Sequence, residues 1–146
     1  MQIDVDWLGF VPMLAAVVLG GVIGLERERS GKAAGLRTNI LICMGSAMFT
    51  YLALKLEVDA GRMLAGVITG VGFIGGGAVL QDRGGVYGIT TAATIWLVTG
   101  IGIACGLGSY DIAVGVTVLA LVVLIGMHPM DRKLHKQTSK QDGAPK

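Results

Sequence analysis

In an otherwise apolar chain, three carboxylates (Glu26, Glu28 and Asp82) and two guanidinium groups (Arg37 and Arg83) stand at the ends of hydrophobic runs. Hard divalent cations such as Mg2+ take oxygen ligands and keep several waters. Glu26, Glu28 and Asp82 are therefore the candidates for holding one, and no other cofactor is expected. Arg37 and Arg83 do the opposite, since a guanidinium repels cations and binds carboxylates and other anions. Thr38 and Asn39 follow Arg37, and Thr90, Thr91 and Thr94 follow Arg83, so hydroxyl and amide groups extend the polar positions. No Ser-His-Asp set, phosphate loop or Cys/His cluster accompanies them, and the chain does not read as an enzyme. Cys43 and Cys105 lie inside apolar runs and read as small buried hydrophobes.

The elements that carry these groups follow from composition. Of 146 residues, 53% are hydrophobic and 15% charged, where a soluble domain carries about a quarter charged residues. A helix crosses the hydrocarbon with about 20 mostly apolar residues, about 17 at the least. Five stretches qualify, two of them marginally: 7–25, 38–54, 63–80, 89–105 and 112–127. The expected fold is all-α, a polytopic bundle of five transmembrane helices, with short connections that make successive helices antiparallel neighbours. Ten of the twelve basic residues fall on one side of this arrangement, and only Lys55 and Arg62 on the other. The positive-inside rule then places the N-terminus outside and the C-terminus in the cytoplasm. An acidic start (Asp4, Asp6) is unlike a signal peptide. Residues 1–128 form the expected membrane domain, and 129–146 read as a basic, disordered cytoplasmic tail. His128 and His135, beside and within that tail, read as solvated.

Glycine supplies 24 residues. Lipid tails are as apolar as leucine, so membrane helices associate through close backbone approach, which small residues permit. Gly20 and Gly24, Gly66 and Gly70, Gly72 and Gly76, and Gly102 and Gly106 each fit the small-xxx-small spacing; they point to tight packing within one chain or between copies. Polar stripes recur on helical faces: Asn39, Cys43, Ser46 and Thr50 on the second span, and Tyr87, Thr90, Thr91 and Thr94 on the fourth. Gly72, Gly75, Gly76 and Val79 form a smooth face leading to Asp82. Glu26 and Glu28 end the first span, where the helix dipole disfavours anions. Cations should hold them there, and Arg37 is the best placed by sequence. On this topology Glu26, Glu28, Arg37, Asp82 and Thr90 converge at one level of the cytoplasmic side.

Four blocks together resemble the MgtC/SapB family of bacterial inner-membrane proteins over residues 10–125. They are Gly24, Glu26, Arg27 and Glu28; Gly35, Leu36, Arg37 and Thr38; Gly70, Gly72, Phe73 and Gly75; and Thr91, Ala92, Ala93, Thr94 and Trp96. The resemblance implies a five-span, multi-pass protein of the bacterial inner membrane with a cytoplasmic C-terminus. It also implies a link to growth at low magnesium and to stress in pathogens, and in some members restraint of the ATP synthase. Longer members add a soluble C-terminal domain after the segment matched here. Thr90 stands where some members carry Asn.

Two functions compete. One is a regulatory membrane protein acting through helix–helix contacts, a homo-oligomer such as a dimer or a partner of other membrane machinery. The other is a Mg2+ transporter or channel with a polar site at the cytoplasmic side. Arg37 and the lack of a carboxylate at mid-membrane weigh against the second. Nothing in the charge pattern points to nucleic acid.

Overall fold

The computed structural model describes residues 7–56, 59–82 and 85–126, with side chains for all of these but 7, 8 and 80–82. The fold is all-α. A short 3-10 turn, Trp7–Phe10, leads into α1 (Val11–Arg29), α2 (Leu36–Lys55), α3 (Ala60–Gly77), α4 (Ile89–Gly106) and α5 (Tyr110–Gly126). Between α3 and α4 the chain forms a small antiparallel hairpin, β1 (Leu80–Asp82) against β2 (Gly85–Tyr87), with Asp82 opposite Gly85. The tail at 129–146, both histidines and Arg83 lie outside the described residues.

Helix ends follow local chemistry. Pro12 sits in the first turn of α1, where a missing N–H costs nothing. α1 stops at a left-handed Gly31 (φ 65°), whose N–H bonds Glu28 O at 3.0 Å while Lys32 N–H bonds Arg27 O at 3.0 Å. This is the Schellman arrangement, which satisfies carbonyls of the last turn. The side chain of Asp59 caps α3 through the Arg62 N–H at 3.0 Å. Gly88 opens α4 in a left-handed conformation (φ 89°), and a Cβ there would overlap Ala78 O. A residue with a side chain would be both strained and blocked at that position.

α4 packs on each of the other four helices and is the centre of the bundle. Gly102 lies against Cys43 and Ser46, and Gly106 against Ala47 and Thr50, so α4 runs parallel to α2. Gly20 meets Cys43 and Asn39, whereas Gly24 meets Leu36 and Asn39, so α1 runs antiparallel to α2. At Gly102 and Gly106 a Cβ would collide with Cys43 O and Ala47 O, so backbone contact replaces side-chain interdigitation.

The interior combines an apolar core with polar side chains, and the exterior carries many large apolar ones. Asn39, Ser46, Thr50, Thr91, Thr94, Thr99 and Thr117 are buried, while Leu14, Val18, Leu41, Phe73, Trp96, Leu119 and Val122 are exposed. Most of the interior hydroxyls bond their own helix: Ser46 to Ile42 O, Thr50 to Ser46 O, Thr99 to Ile95 O and Thr117 to Ala113 O, all between 2.8 and 3.0 Å. Such self-satisfaction is what a hydrocarbon surrounding demands. α2 and α4 are long and apolar enough to cross a membrane, and α5 is apolar at 17 residues. Two such helices and an apolar exterior are what a membrane-embedded bundle presents.

Candidate functional site

The inward face of α1 consists of Pro12, Ala16, Gly20, Ile23, Gly24 and Arg27. A guanidinium thus continues an otherwise apolar face, and Arg27 is 3% exposed. Its ion pair is with the adjacent Glu26, from Nη1 to Oε2 at 3.7 Å. That separation brings opposite charges together without making a hydrogen bond. Glu26 Oε1 accepts the Ser30 hydroxyl at 2.7 Å. Arg27 Nε and Nη2, Glu26 Oε2 and Asn39 Oδ1 are all buried and have no hydrogen-bond partner among the described residues.

Glu28 reaches across to the next helix, and its Oε2 accepts the Leu36 N–H at 2.9 Å. Gly35 is the N-cap of α2 and has no side chain to offer, so the carboxylate of α1 does the capping instead. The positive end of the α2 dipole favours an anion at this place. Gly35 also makes the contact possible, because a Cβ on it would overlap Glu28 Oε2. One turn further, the fully buried Asn39 donates from Nδ2 to Ala34 O at 2.9 Å and to Gly35 O at 2.7 Å. The Ser30–Gly35 connection is therefore tied down from both helices.

Arg37 takes no part in this arrangement. It is exposed and forms no ion pair among the described residues, contrary to the expectation that it holds Glu26 or Glu28. The physical reason is local: Glu28 finds a backbone N–H and a helix dipole nearer than any guanidinium of α2, and Glu26 has Ser30 and Arg27 beside it. Thr38 is half-buried. Asn39, Cys43, Ser46 and Thr50 lie on the buried face of α2. In α4, Thr91 and Thr94 are buried and Thr90 is exposed, with the Thr94 hydroxyl donating to Thr90 O at 2.7 Å. Tyr87 belongs to β2, so the stripe expected from it starts only at Thr90. α3 ends at Gly77, and Asp82 lies beyond it at the end of β1 rather than on a continuous helical face. The side chain of Asp82 and all of Arg83 fall outside the described residues. Among the described residues no three His, Cys, Asp or Glu side chains converge as metal ligands.

The glycines divide into two classes. Gly20, Gly24 and Gly75 abut neighbouring helices, whereas Gly66, Gly70, Gly72 and Gly76 have no atom within 4 Å of a Cβ position. These four belong to α3, where Gly77 is open as well and the one buried residue is Gly75; single open glycines also occur on α2 (Gly45) and α4 (Gly100). An apolar groove of about 730 Å3 runs between α2 and α3, lined among others by Leu41, Phe49, Gly66, Val67 and Gly70.

Arg27, Ser30 and Gly35 are the participants that charge and motif reading did not single out as a site. A signal for Arg27 exists: it follows Gly20 by seven residues and Gly24 by three, on the packing face.

Residues 13–133 match the model of the MgtC family. The chain is 36% identical over 132 residues to Protein MgtC of Salmonella typhimurium LT2, covering 90% of this chain and 57% of that protein. It is 38% identical over 148 residues to the "Putative magnesium transporter YhiD" of Escherichia coli K12, covering 91% and 69% of the two chains. To Protein SrpB of Synechococcus elongatus PCC 7942 it is 38% identical over 144 residues, covering 87% and 79%. The chain thus spans little more than half the length of the Salmonella relatives, 57%. No solved structure matches it. A match through all five helices, and through the connection that holds the Arg27 and Glu28 contacts, leaves one assignment: this chain belongs to the MgtC family.

Proposed function

We propose that the protein is a regulatory component of the bacterial inner membrane, serving adaptation to low magnesium or stress by docking α3 against another membrane-embedded helix. It crosses the bilayer five times with its N-terminus outside, and it is not an enzyme. The observation that carries this reading is the open face of α3. Gly66, Gly70 and Gly77 share one side of α3 and have no atom within 4 Å of a Cβ position, and Gly66 and Gly70 line a groove with apolar walls; Gly72 and Gly76 are equally open on another side. A helix in lipid gains little from hydrophobic exclusion, so a bare glycine face is useful chiefly where another backbone approaches it. A second copy, giving a homo-oligomer such as a dimer, and a larger assembly such as the ATP synthase are the partners the resemblance brings forward. Photo-crosslinking from position 70, in native membranes, tests the reading. A discrete adduct that disappears in Gly66→Leu supports it, and labelling of lipid alone from every α3 position sinks it.

Magnesium transport is the second reading, favoured by the name of YhiD. Glu26 and Glu28 would lie at its inner mouth. Against it, Glu28 is engaged in capping α2 through the Leu36 N–H, and Glu26 lies beside the Arg27 guanidinium, which repels a cation. Flux measurements in proteoliposomes under a Mg2+ gradient decide between the two.

A further inference from the structure

The buried end of α1 holds more hydrogen-bonding capacity than the described residues use. Arg27 Nε and Nη2 lie on the same edge of the guanidinium, the edge that takes an oxyanion through two parallel bonds. Both are buried and without a hydrogen-bond partner among the described residues, on a residue 3% exposed. Two acceptors share their situation, Glu26 Oε2 and Asn39 Oδ1. Glu26 Oε2 is 3.7 Å from Arg27 Nη1. Asn39 packs on Gly24, one turn before Arg27 on the same face of α1, and is oriented by its two Nδ2 bonds to Ala34 O and Gly35 O. Leaving such groups unpaired in a low-dielectric interior is costly, so a partner for them is strongly favoured.

We infer that Arg27, Glu26 and Asn39 form a binding site for a protonated phosphate, either inorganic phosphate or the headgroup of a phosphomonoester lipid. The donor pair takes two phosphate oxygens. The two acceptors require a ligand that also donates, and a P–OH supplies that proton where fully ionised sulfate has none. Glu26 beside the guanidinium repels an oxyanion without a proton and accepts a hydrogen bond from one that has it. With Arg27 3% exposed, the ligand enters by a transient opening of the Ser30–Gly35 connection, after which the Glu28–Leu36 and Asn39 bonds re-form.

The test uses the full chain in phosphatidylcholine nanodiscs, titrated calorimetrically with inorganic phosphate and, separately, with sulfate. Phosphate is expected to bind at least about tenfold more tightly than sulfate, the size of one lost or repelled hydrogen bond to a charged group. Arg27→Lys keeps the charge but lacks the two-pronged edge, and about a tenfold loss of phosphate affinity is expected. Glu26→Gln gains an amide donor and should admit sulfate, narrowing the preference; this variant keeps the inference testable should Arg27→Lys fail to fold. Nanodiscs doped with phosphatidic acid separate the two sources. Competition with inorganic phosphate there, absent with the diester phosphatidylglycerol, identifies the lipid headgroup, and no competition identifies the free ion. Equal binding of sulfate and phosphate, phosphate affinity unchanged in both variants, or binding of neither phosphate nor phosphatidic acid overturns the inference.

Discussion

Glu28 Oε2 on the last turn of α1 accepts the N–H of Leu36 on the first turn of α2 at 2.9 Å, so one helix caps the next. This contact replaces the ion pair that charge patterning suggests between the α1 carboxylates and Arg37. It also explains why a glycine stands at the N-cap: the carboxylate occupies the volume a Gly35 side chain would need. The α1–α2 hairpin is the most extensively packed pair in the bundle, and this bond closes its connecting end.

Removing the cap should destabilise the protein. Glu28→Ala leaves the Leu36 N–H without its carboxylate and should cost about 1 kcal/mol, the usual value for a lost N-terminal cap. Glu28→Gln keeps an acceptor and should cost less. Denaturant titration in mixed micelles measures both, and equal losses would point to the charge rather than the hydrogen bond.

Gly35→Ala should act through the same carboxylate. Its methyl group displaces Glu28 Oε2, so its cost should shrink once Glu28 is already alanine. A double-mutant cycle should return a coupling of about 0.5–3 kcal/mol, as for residues in direct contact. Strict additivity would show that the two positions act independently.

Asn39 and Arg37 should behave in opposite ways. Asn39→Ala leaves two carbonyls, Ala34 O and Gly35 O, without their side-chain donor at a fully buried position, and a loss of about 2 kcal/mol or more is expected. Arg37→Ala removes an exposed side chain without an ion pair among the described residues and should fall within about 0.5 kcal/mol of the parent. Thermal aggregation of the purified variants ranks them; a larger effect at Arg37 would contradict the placement of the charges.

The two classes of glycine should separate by readout. Gly102→Ala drives a methyl group toward Cys43 O and should cost about 1–3 kcal/mol through overpacking. Gly70→Ala meets open space and should be neutral or slightly stabilising within a single chain, since alanine is the better helix former by about 1 kcal/mol. Gly70→Leu should leave folding intact yet weaken association with whatever covers α3. Stability in micelles and crosslinking yield in membranes, measured on the same three variants, check the division.

Much of the architecture is present in local chemistry. The alternation of apolar runs with short charged connections is enough to anticipate five helices, because apolar length and backbone satisfaction are properties of contiguous residues. The buried face of α2 is equally local, since Asn39, Cys43, Ser46 and Thr50 recur at helical spacing. The hairpin at Leu80–Tyr87 is not, because three-residue strands between glycines carry too little periodicity to be distinguished from a turn.

By itself, then, the sequence determined the helical class, the family and the clustering of charge at helix ends, all of which depend on residue type and spacing along one chain. Only the tertiary structure decided which charges are buried and which glycines are occupied. Arg27 rather than Arg37 turns inward, and Gly20 and Gly24 are filled while Gly66 and Gly70 stay bare. Those outcomes depend on the rotation of each helix about its own axis, and that rotation is fixed by contacts between residues distant in the chain, such as Gly102 on Cys43.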